Sequence, residues 1–393
     1  MKRIFITGFA LLGLFRMAAQ TTPTDSTTYK NKKLKVDEIN LVSSYYKQDG
    51  NNSAVTGGIG TQKLTDVSNS IDIKFINYGA TGKKHTLDVE VGVDHYTSAS
   101  SDKIDLSANS SASRSDTRFY PTVTYAVENE DKGNTLAMGV SSSTEFDYQS
   151  FGGNIGYAKK TKDKNGEFSA KFQTYLDQLK LIQPIELRTG GESYGTASRN
   201  TFAGTLSYAQ IVNQNLQVVF MADVIAQQGY LSLPFHRVYF NDGSVHQENL
   251  PGNRLKVPLA VRASYFLGDN VIIRAYYRYY SDDWKLTSHT ADIEVPVKLS
   301  PFFSLSPFYR YYTQSAAKYF NRYKAHTASD EFYTSNYDLS KFNSSFVGMG
   351  LKFTPQKGVL GIRHFNTVEI RYGHYTRTNN MTSDIISINL KYR

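Results

Sequence analysis

The 393-residue chain has no cysteine. That excludes disulfides, thiolate metal sites and cysteine nucleophiles. Tryptophan occurs once. Beyond residue 20 no stretch is apolar over the roughly 20 residues that a membrane helix needs. The charge is not strongly one-sided. The first twenty residues, MKRIFITGFALLGLFRMAAQ, read as a secretory signal: basic Lys2 and Arg3, an apolar run from Ile4 to Leu14, and small residues near Ala19 for cleavage. Removing this signal takes away three basic and no acidic residues, lowering the formal net charge from +9 to +6. So modest an excess on so long a chain argues against nucleic acid as a partner. No cysteine follows the cleavage site, so a lipid-anchored form is not expected.

What the chain does have is aromatic residues, 29 Tyr and 23 Phe, and a two-residue period. In HTLDVEVGVDHY (85–96), Leu87, Val89, Val91 and Val93 fall on one face and Asp88, Glu90, Gly92 and Asp94 on the other. NVIIRAYYRYY (270–280) and ADIEVPVKLS (291–300) repeat the design. Similar segments begin near 36, 67, 116, 134, 148, 167, 200, 215, 254, 302, 342, 364 and 383, which makes about sixteen strands. Each is long enough to cross a bilayer at a tilt, for which about 9–11 residues suffice.

The connections alternate in length. Short ones such as GATGKK (79–84), NEDKGN (129–134) and TKDKNG (161–166) carry the Gly, Asn and Asp that tight turns use. Long ones span 47–65, 98–114, 178–199, 229–252 and 316–340. Tyr125, Tyr157, Tyr208, Tyr265, Phe303, Phe353 and Tyr392 lie on the apolar face near the short connections, as an interfacial aromatic girdle requires. A soluble sandwich would alternate too but has no need of that girdle. The fold expected is therefore an all-β, transmembrane, antiparallel up-and-down β-barrel of about 16 strands, with short periplasmic turns and long external loops. The organisation expected is a signal peptide at 1–19, a disordered polar leader at 20–34, and one barrel over 35–393. An open sheet edge in hydrocarbon would strand its backbone groups. The strand at 36–46 is thus expected to pair with DIISINLKYR at 384–393, whose Ile386, Ile388, Leu390 and Tyr392 would face lipid.

KVDEINLVSSYYKQDGNNSAVTGGIGTQKLTDVS (35–68), QGYLSLPFHRVYFNDG (228–243) and ENLPGNR (248–254) resemble an uncharacterised outer-membrane β-barrel family, common in Bacteroidetes and catalogued as domain of unknown function 3570. The resemblance spans nearly all the chain after the signal. It implies a barrel in the outer membrane of a Gram-negative envelope, and brings no known activity and no catalytic residues.

Candidate chemistry is sparse. AVTGGIGTQ (54–62) is Gly-rich but does not lie between a strand and a helix, as a phosphate cradle must. The eight histidines show no zinc spacing, and NDGS (241–244) and KQDGNN (47–52) read as turn residues. His374 falls on the lipid-facing side of its strand, and no nucleophile–base arrangement is visible, so no enzyme, metal or cofactor is expected. The informative groups are the charges on the inward face: Asp88, Glu90 and Asp94 on one strand; Arg262, Arg274, Arg278 and Arg310 about eight strands on. Either an acidic wall faces an arginine wall across the bore, or Asp292 and Glu294 pair locally with Arg274, Arg278 and Arg310. The leading expectation is a passive channel for small polar solutes in the cell outer membrane, embedded in its lipid, with lumen charges and long loops setting selectivity. The alternative is a non-transporting structural or assembly barrel, plugged by its loops and docked to another envelope protein; a barrel hydrolase is a more distant third.

Overall fold

The computed structural model describes residues 34–79, 82–97, 115–188 and 195–393. The signal, almost all of the leader and the connection at 98–114 lie outside the described residues. Nine strands run first: β1 (Lys35–Gly50), β2 (Leu64–Tyr78), β3 (Lys84–Thr97), β4 (Ser115–Asn129), β5 (Asn134–Thr144), β6 (Tyr148–Lys160), β7 (Gly166–Lys180), β8 (Thr196–Ile211) and β9 (Leu216–Gly229). A separate ribbon of β10 (Arg237–Tyr239) and β11 (Val245–Gln247) follows. The wall then resumes with β12 (Asn253–Leu267), β13 (Val271–Asp282), β14 (Thr287–Glu294), β15 (Val297–Ser300), β16 (Phe303–Gln314), β17 (Phe342–Phe353), β18 (Phe365–Arg377) and β19 (Met381–Tyr392).

Each crossing of the wall pairs antiparallel with the crossings before and after it, and β1 pairs with β19 from Ile39↔Tyr392 to Gly50↔Met381. The wall is therefore a closed up-and-down barrel. β14 and β15 are two halves of one crossing, so the barrel has sixteen strand positions. The break falls at Val295–Pro296. Proline has no N–H for the ladder, yet its carbonyl still accepts from the Ile272 N–H at 2.9 Å, and Val295 donates to Pro307 at 3.0 Å. Both neighbours stay attached, and the barrel does not open there.

Directly opposite residues share a face, so the registers identify inside and outside. Met138, Leu206, Phe220 and Val347 are each more than half exposed on the outer face. Such apolar exposure is the hallmark of a surface whose solvent is lipid. Tyr125, Tyr157, Tyr208, Tyr265 and Phe353 stand exposed near the short turns, while Tyr45, Phe119, Phe151, Tyr309 and Tyr372 stand exposed toward the other end. Two aromatic belts thus flank an aliphatic band. No helix of the described residues is long and apolar enough to cross a membrane.

The chain ends of the wall, at Lys35 and Tyr392, sit with the short connections at 79–83, 130–133, 161–165, 212–215, 268–270, 301–302 and 354–364. The opposite rim carries the long loops. Several strands reach further toward that rim than alternation alone indicates; β1 runs to Gly50 and β7 to Lys180, since rim residues with no apolar pattern still complete the ladder.

Among the described residues, loops of that rim pack on one another. Those at 230–252, 283–286 and 315–341 share a core of Leu250, Trp284, Leu286 and Ala317, each under 9% exposed. The lone tryptophan donates its indole N–H to the Asn253 carbonyl at 3.1 Å, packs edge-on against Tyr319, and carries the Arg254 guanidinium 4.1 Å from its ring. A second cluster packs Phe240 of the loop ribbon against His246, His326 and Tyr333. Loop 51–63 joins them: Arg237 donates to the Val55 carbonyl at 2.7 Å and pairs with Glu186 of loop 181–195. Gly57, at φ +78°, abuts the Tyr239 ring so closely that any Cβ would collide with it. Loops from around the rim are therefore stapled into one cap.

Candidate functional site

The interior of the barrel is the candidate site, because the wall turns its polar half inward. On β2 and β3 the inward rows carry Asp66, Asp72, Asp88, Glu90 and Asp94. Asp88 lies 3.8 Å from the Lys74 ammonium. Asp94, nearly inaccessible, accepts from Arg118 Nε at 3.0 Å and from the Tyr120 hydroxyl at 2.9 Å, and also from Ser68. Gly92 makes this possible. It sits opposite Tyr120, and a Cβ there would overlap the tyrosine ring that reaches across it to Asp94. Glu90 faces Asp72 and Thr122 across the strands, and no cation pairs with it among the described residues.

β13 occupies the eleventh wall position and β3 the third, so the two lie eight positions apart, half-way round the ring. On this far side Arg262, Arg274, Arg278 and Arg310 line one cavity of about 530 Å³ with Tyr276, Thr290, Asp292 and Glu294. Local pairing accounts for two of the arginines: Arg310 Nε lies 3.0 Å from Asp292, and Arg274 lies 3.8 Å from Glu294. Arg262 and Arg278 have no carboxylate within 4 Å among the described residues. Arg262 lies instead over the Tyr276 ring, 5.8 Å from its centroid. Local pairing accounts for Arg274 and Arg310 here as it does for Asp88 and Asp94 eight positions away, and leaves Glu90 on one side and Arg262 and Arg278 on the other without an ion pair among the described residues.

These lumen pairs are weak stabilisers. The Arg310 and Arg274 side chains are about half exposed to the bore, and solvent-accessible pairs contribute about 0–1 kcal/mol. Alternation had a further inward cation that sequence reading passed over: Arg371 on β18, between outward Ile370 and Tyr372. It donates to Glu294 at 2.9 Å and to Glu369 at 3.1 Å. A smaller cavity of about 180 Å³ lies beside it, continuous in lining with the arginine cavity through Asp292, Glu294 and Arg310.

At the loop end a third cavity, of about 520 Å³, lies between the inner wall and the cap. Its wall side includes Tyr96, Arg118, Tyr148 and Arg199, and its cap side is the segment Leu233–His236. Asp116, Glu145 and Asp147 converge there with carboxylate oxygens within 4.8 Å of one another. Burial, then repulsion from Asp116, pushes the Asp147 carboxyl above its usual range. Burial raises Glu145 as well, against the lowering effect of the Tyr96 hydroxyl bonded to it. Three carboxylates at a rim offer oxygen ligands for a cation, but this arrangement also arises without one.

The histidines are distributed as packing and hydrogen-bonding groups. His374 is on the outer face, with Nδ1 2.8 Å from Asp384, which also accepts from Tyr372 at 2.7 Å. His236 and His326 are buried in the cap; His236 Nδ1 lies 3.5 Å from Glu248. None forms an ion pair with the lumen charges singled out from the sequence.

A family model described as "Protein of unknown function (DUF3570)" matches residues 4–385. No curated protein matches the sequence. Among solved structures, the chain is similar to a BenF-like porin from Pseudomonas fluorescens Pf-5, with 13% identity, TM-score 0.42, and 91% of this chain and 98% of that one covered. It is also similar to OpdQ of Pseudomonas aeruginosa, with 11% identity, TM-score 0.44, and 92% and 98% covered. OccD3 (OpdP) of the same organism gives 9% identity, TM-score 0.44, and 92% and 93% covered.

Proposed function

The chain belongs to the family described as a protein of unknown function (DUF3570), and from that premise we propose that it is an outer-membrane channel admitting small polar solutes. The observation that carries the reading is the charged inner face of a barrel with sixteen strand positions. About eight strands make a barrel that side chains fill, whereas sixteen enclose an aqueous space. Unpaired Glu90, Arg262 and Arg278 belong in water, not in a packed core. The outward apolar band and its two aromatic belts suit a bilayer, and the envelope that houses such barrels is Gram-negative.

On this reading the cap sets the route. Solutes pass through the space between the wall and Leu233–His236, then meet the acidic rows on one side of the bore and the arginines on the other. A transverse field of this kind orients dipolar solutes and favours passage of hydrated ones. The protein acts by selective permeation and carries out no bond chemistry.

One observation favours a second reading. The cap has its own buried core and ties together loops from around the rim. A barrel closed in that way serves as a docking platform for another envelope protein. Planar-bilayer conductance separates the two. Purified, folded protein is expected to give discrete open-channel currents; a barrel that inserts and stays silent at all voltages refutes permeation and leaves the docking reading.

A further inference from the structure

The arginine cavity on β12–β16 carries two guanidinium groups, Arg262 and Arg278, with no carboxylate within 4 Å among the described residues. Thr290 is 5% exposed, and its hydroxyl has no hydrogen-bond partner within the protein. Arg278 Nε is likewise buried without a partner. The two residues sit directly opposite each other on β13 and β14 and line the same cavity. A buried polar group left without a partner is destabilising. Here two such groups are adjacent on the wall of one cavity, beside the unpaired guanidinium groups of Arg262 and Arg278.

We propose that this cavity is a binding subsite for a small monocarboxylate that also carries hydrogen-bond donors. The claim deepens the permeation reading and rests on it for the route by which the solute arrives. Charge argues for an anion: Arg274 and Arg310 have carboxylate partners, whereas Arg262 and Arg278 have none among the described residues. A carboxylate bound in the cavity pairs with the Arg278 guanidinium, with Thr290 beside it on the neighbouring strand, and Arg262 supplies the second positive charge. The planar guanidinium fork suits a carboxylate's two oxygens.

Two features of the same cavity restrict the class. Asp292 and Glu294 line it too, and they repel a phosphate dianion brought alongside. They are acceptors only, so they favour a ligand whose remainder offers hydroxyl or ammonium donors. At about 530 Å³ the cavity lies within the roughly 300–1,000 Å³ range of small-molecule pockets and suits a solute of gluconate's size. The Tyr276 ring beneath Arg262 holds that guanidinium in place while leaving its N–H groups free.

The test uses the full chain, folded in detergent, with gluconate as the charged, hydroxyl-bearing probe, glucose as the uncharged one and inorganic phosphate as the dianion. Equilibrium dialysis reads binding independently of conductance. Gluconate is expected to bind saturably, and glucose and phosphate to compete at least tenfold more weakly. Arg262→Gln combined with Arg278→Gln is expected to weaken gluconate binding at least tenfold. Thr290→Val, which alters no charge, is expected to weaken it several-fold, with heat-modifiable mobility confirming that each variant is a folded barrel. Unchanged gluconate affinity in the folded double variant, or equal binding of glucose or phosphate, overturns the subsite. In bilayers, gluconate is expected to reduce chloride current in the wild type and not in the double variant. A silent bilayer with gluconate binding intact refutes permeation and supports the subsite; ample current with no gluconate binding refutes the subsite and supports permeation.

Discussion

Arg371 on β18 reaches past two intervening strands, β17 and β16, to place its Nη1 2.9 Å from Oε1 of Glu294 on β14. The pair therefore spans a chord of the lumen rather than a rung of the wall. Glu294 also holds Arg274 at 3.8 Å, so one carboxylate restrains two guanidinium groups from different sides.

Glu294→Gln is expected to leave the barrel folded, with a stability change within about 1 kcal/mol, because the pairs face a wet bore. The permeation change should be larger in relative terms. A unit charge removed near the path alters the local energy of a passing anion by about 1 kcal/mol in an aqueous environment, roughly fivefold in preference. Reversal potentials under a potassium chloride gradient should shift toward chloride. A shift toward potassium, or none, would show that Glu294 does not face the ion path.

Closure through β1 and β19 makes the last strand indispensable. Deleting residues 384–393 removes most of the β19 partners of β1, from Ile39↔Tyr392 to Lys47↔Asp384. Two edges would then lie in hydrocarbon, each unpaired backbone group costing several kcal/mol. The truncated chain is expected to fail to assemble. A gel showing normal heat-modifiable barrel after the deletion would contradict the closure.

The cap should open when Glu248 is removed. This buried carboxylate accepts from the Leu233 N–H at 2.7 Å and from the Thr334 hydroxyl, joining loop 230–252 to loop 315–341. Glu248→Ala strands both donors, at about 1–3 kcal/mol each. Limited proteolysis from the loop side is expected to cut within 230–252 and 315–341 much faster in the variant, while the wall stays resistant. Identical digestion in the two proteins would mean that the cap is held elsewhere.

The rim is expected to loosen as pH rises through the acid range. The folded Asp147 carboxyl is raised by burial and by repulsion from Asp116, so its charged form is disfavoured in the fold. A raised acid stabilises below its unfolded value, and that contribution is lost as pH climbs through the folded value. Hydrogen exchange around 145–147, corrected for its intrinsic pH dependence, should show more opening at neutral pH than near pH 4, and Asp147→Asn should flatten the profile. Greater protection at neutral pH would reverse the sign and contradict it.

Much of the wall was legible in the sequence because a barrel strand writes its orientation into adjacent residues. Asp88 and Glu90 alternate with Val89 and Val91, and each pair settles which face meets lipid. The same parity was available for Arg371, between Ile370 and Tyr372. Its partner was not, since Glu294 is 77 residues away and no local period links them. The cap was legible only as long connections such as 229–252 and 316–340. Trp284, Leu250 and Ala317 come from three separate connections, and nothing in any one of them encodes which others it will meet.

The sequence by itself determined the two-faced strands, their number and the closing of the first upon the last. These follow from alternation and from the cost of an unpaired edge in lipid. Tertiary structure alone decided which lumen charges are neutralised and which are left free. Asp292 meets Arg310 and Glu294 meets both Arg274 and Arg371, whereas Arg262 and Arg278 meet no carboxylate among the described residues. Those outcomes depend on register, side-chain reach and the curvature that brings β18 toward β14, and none of the three is a property of neighbouring residues in the chain.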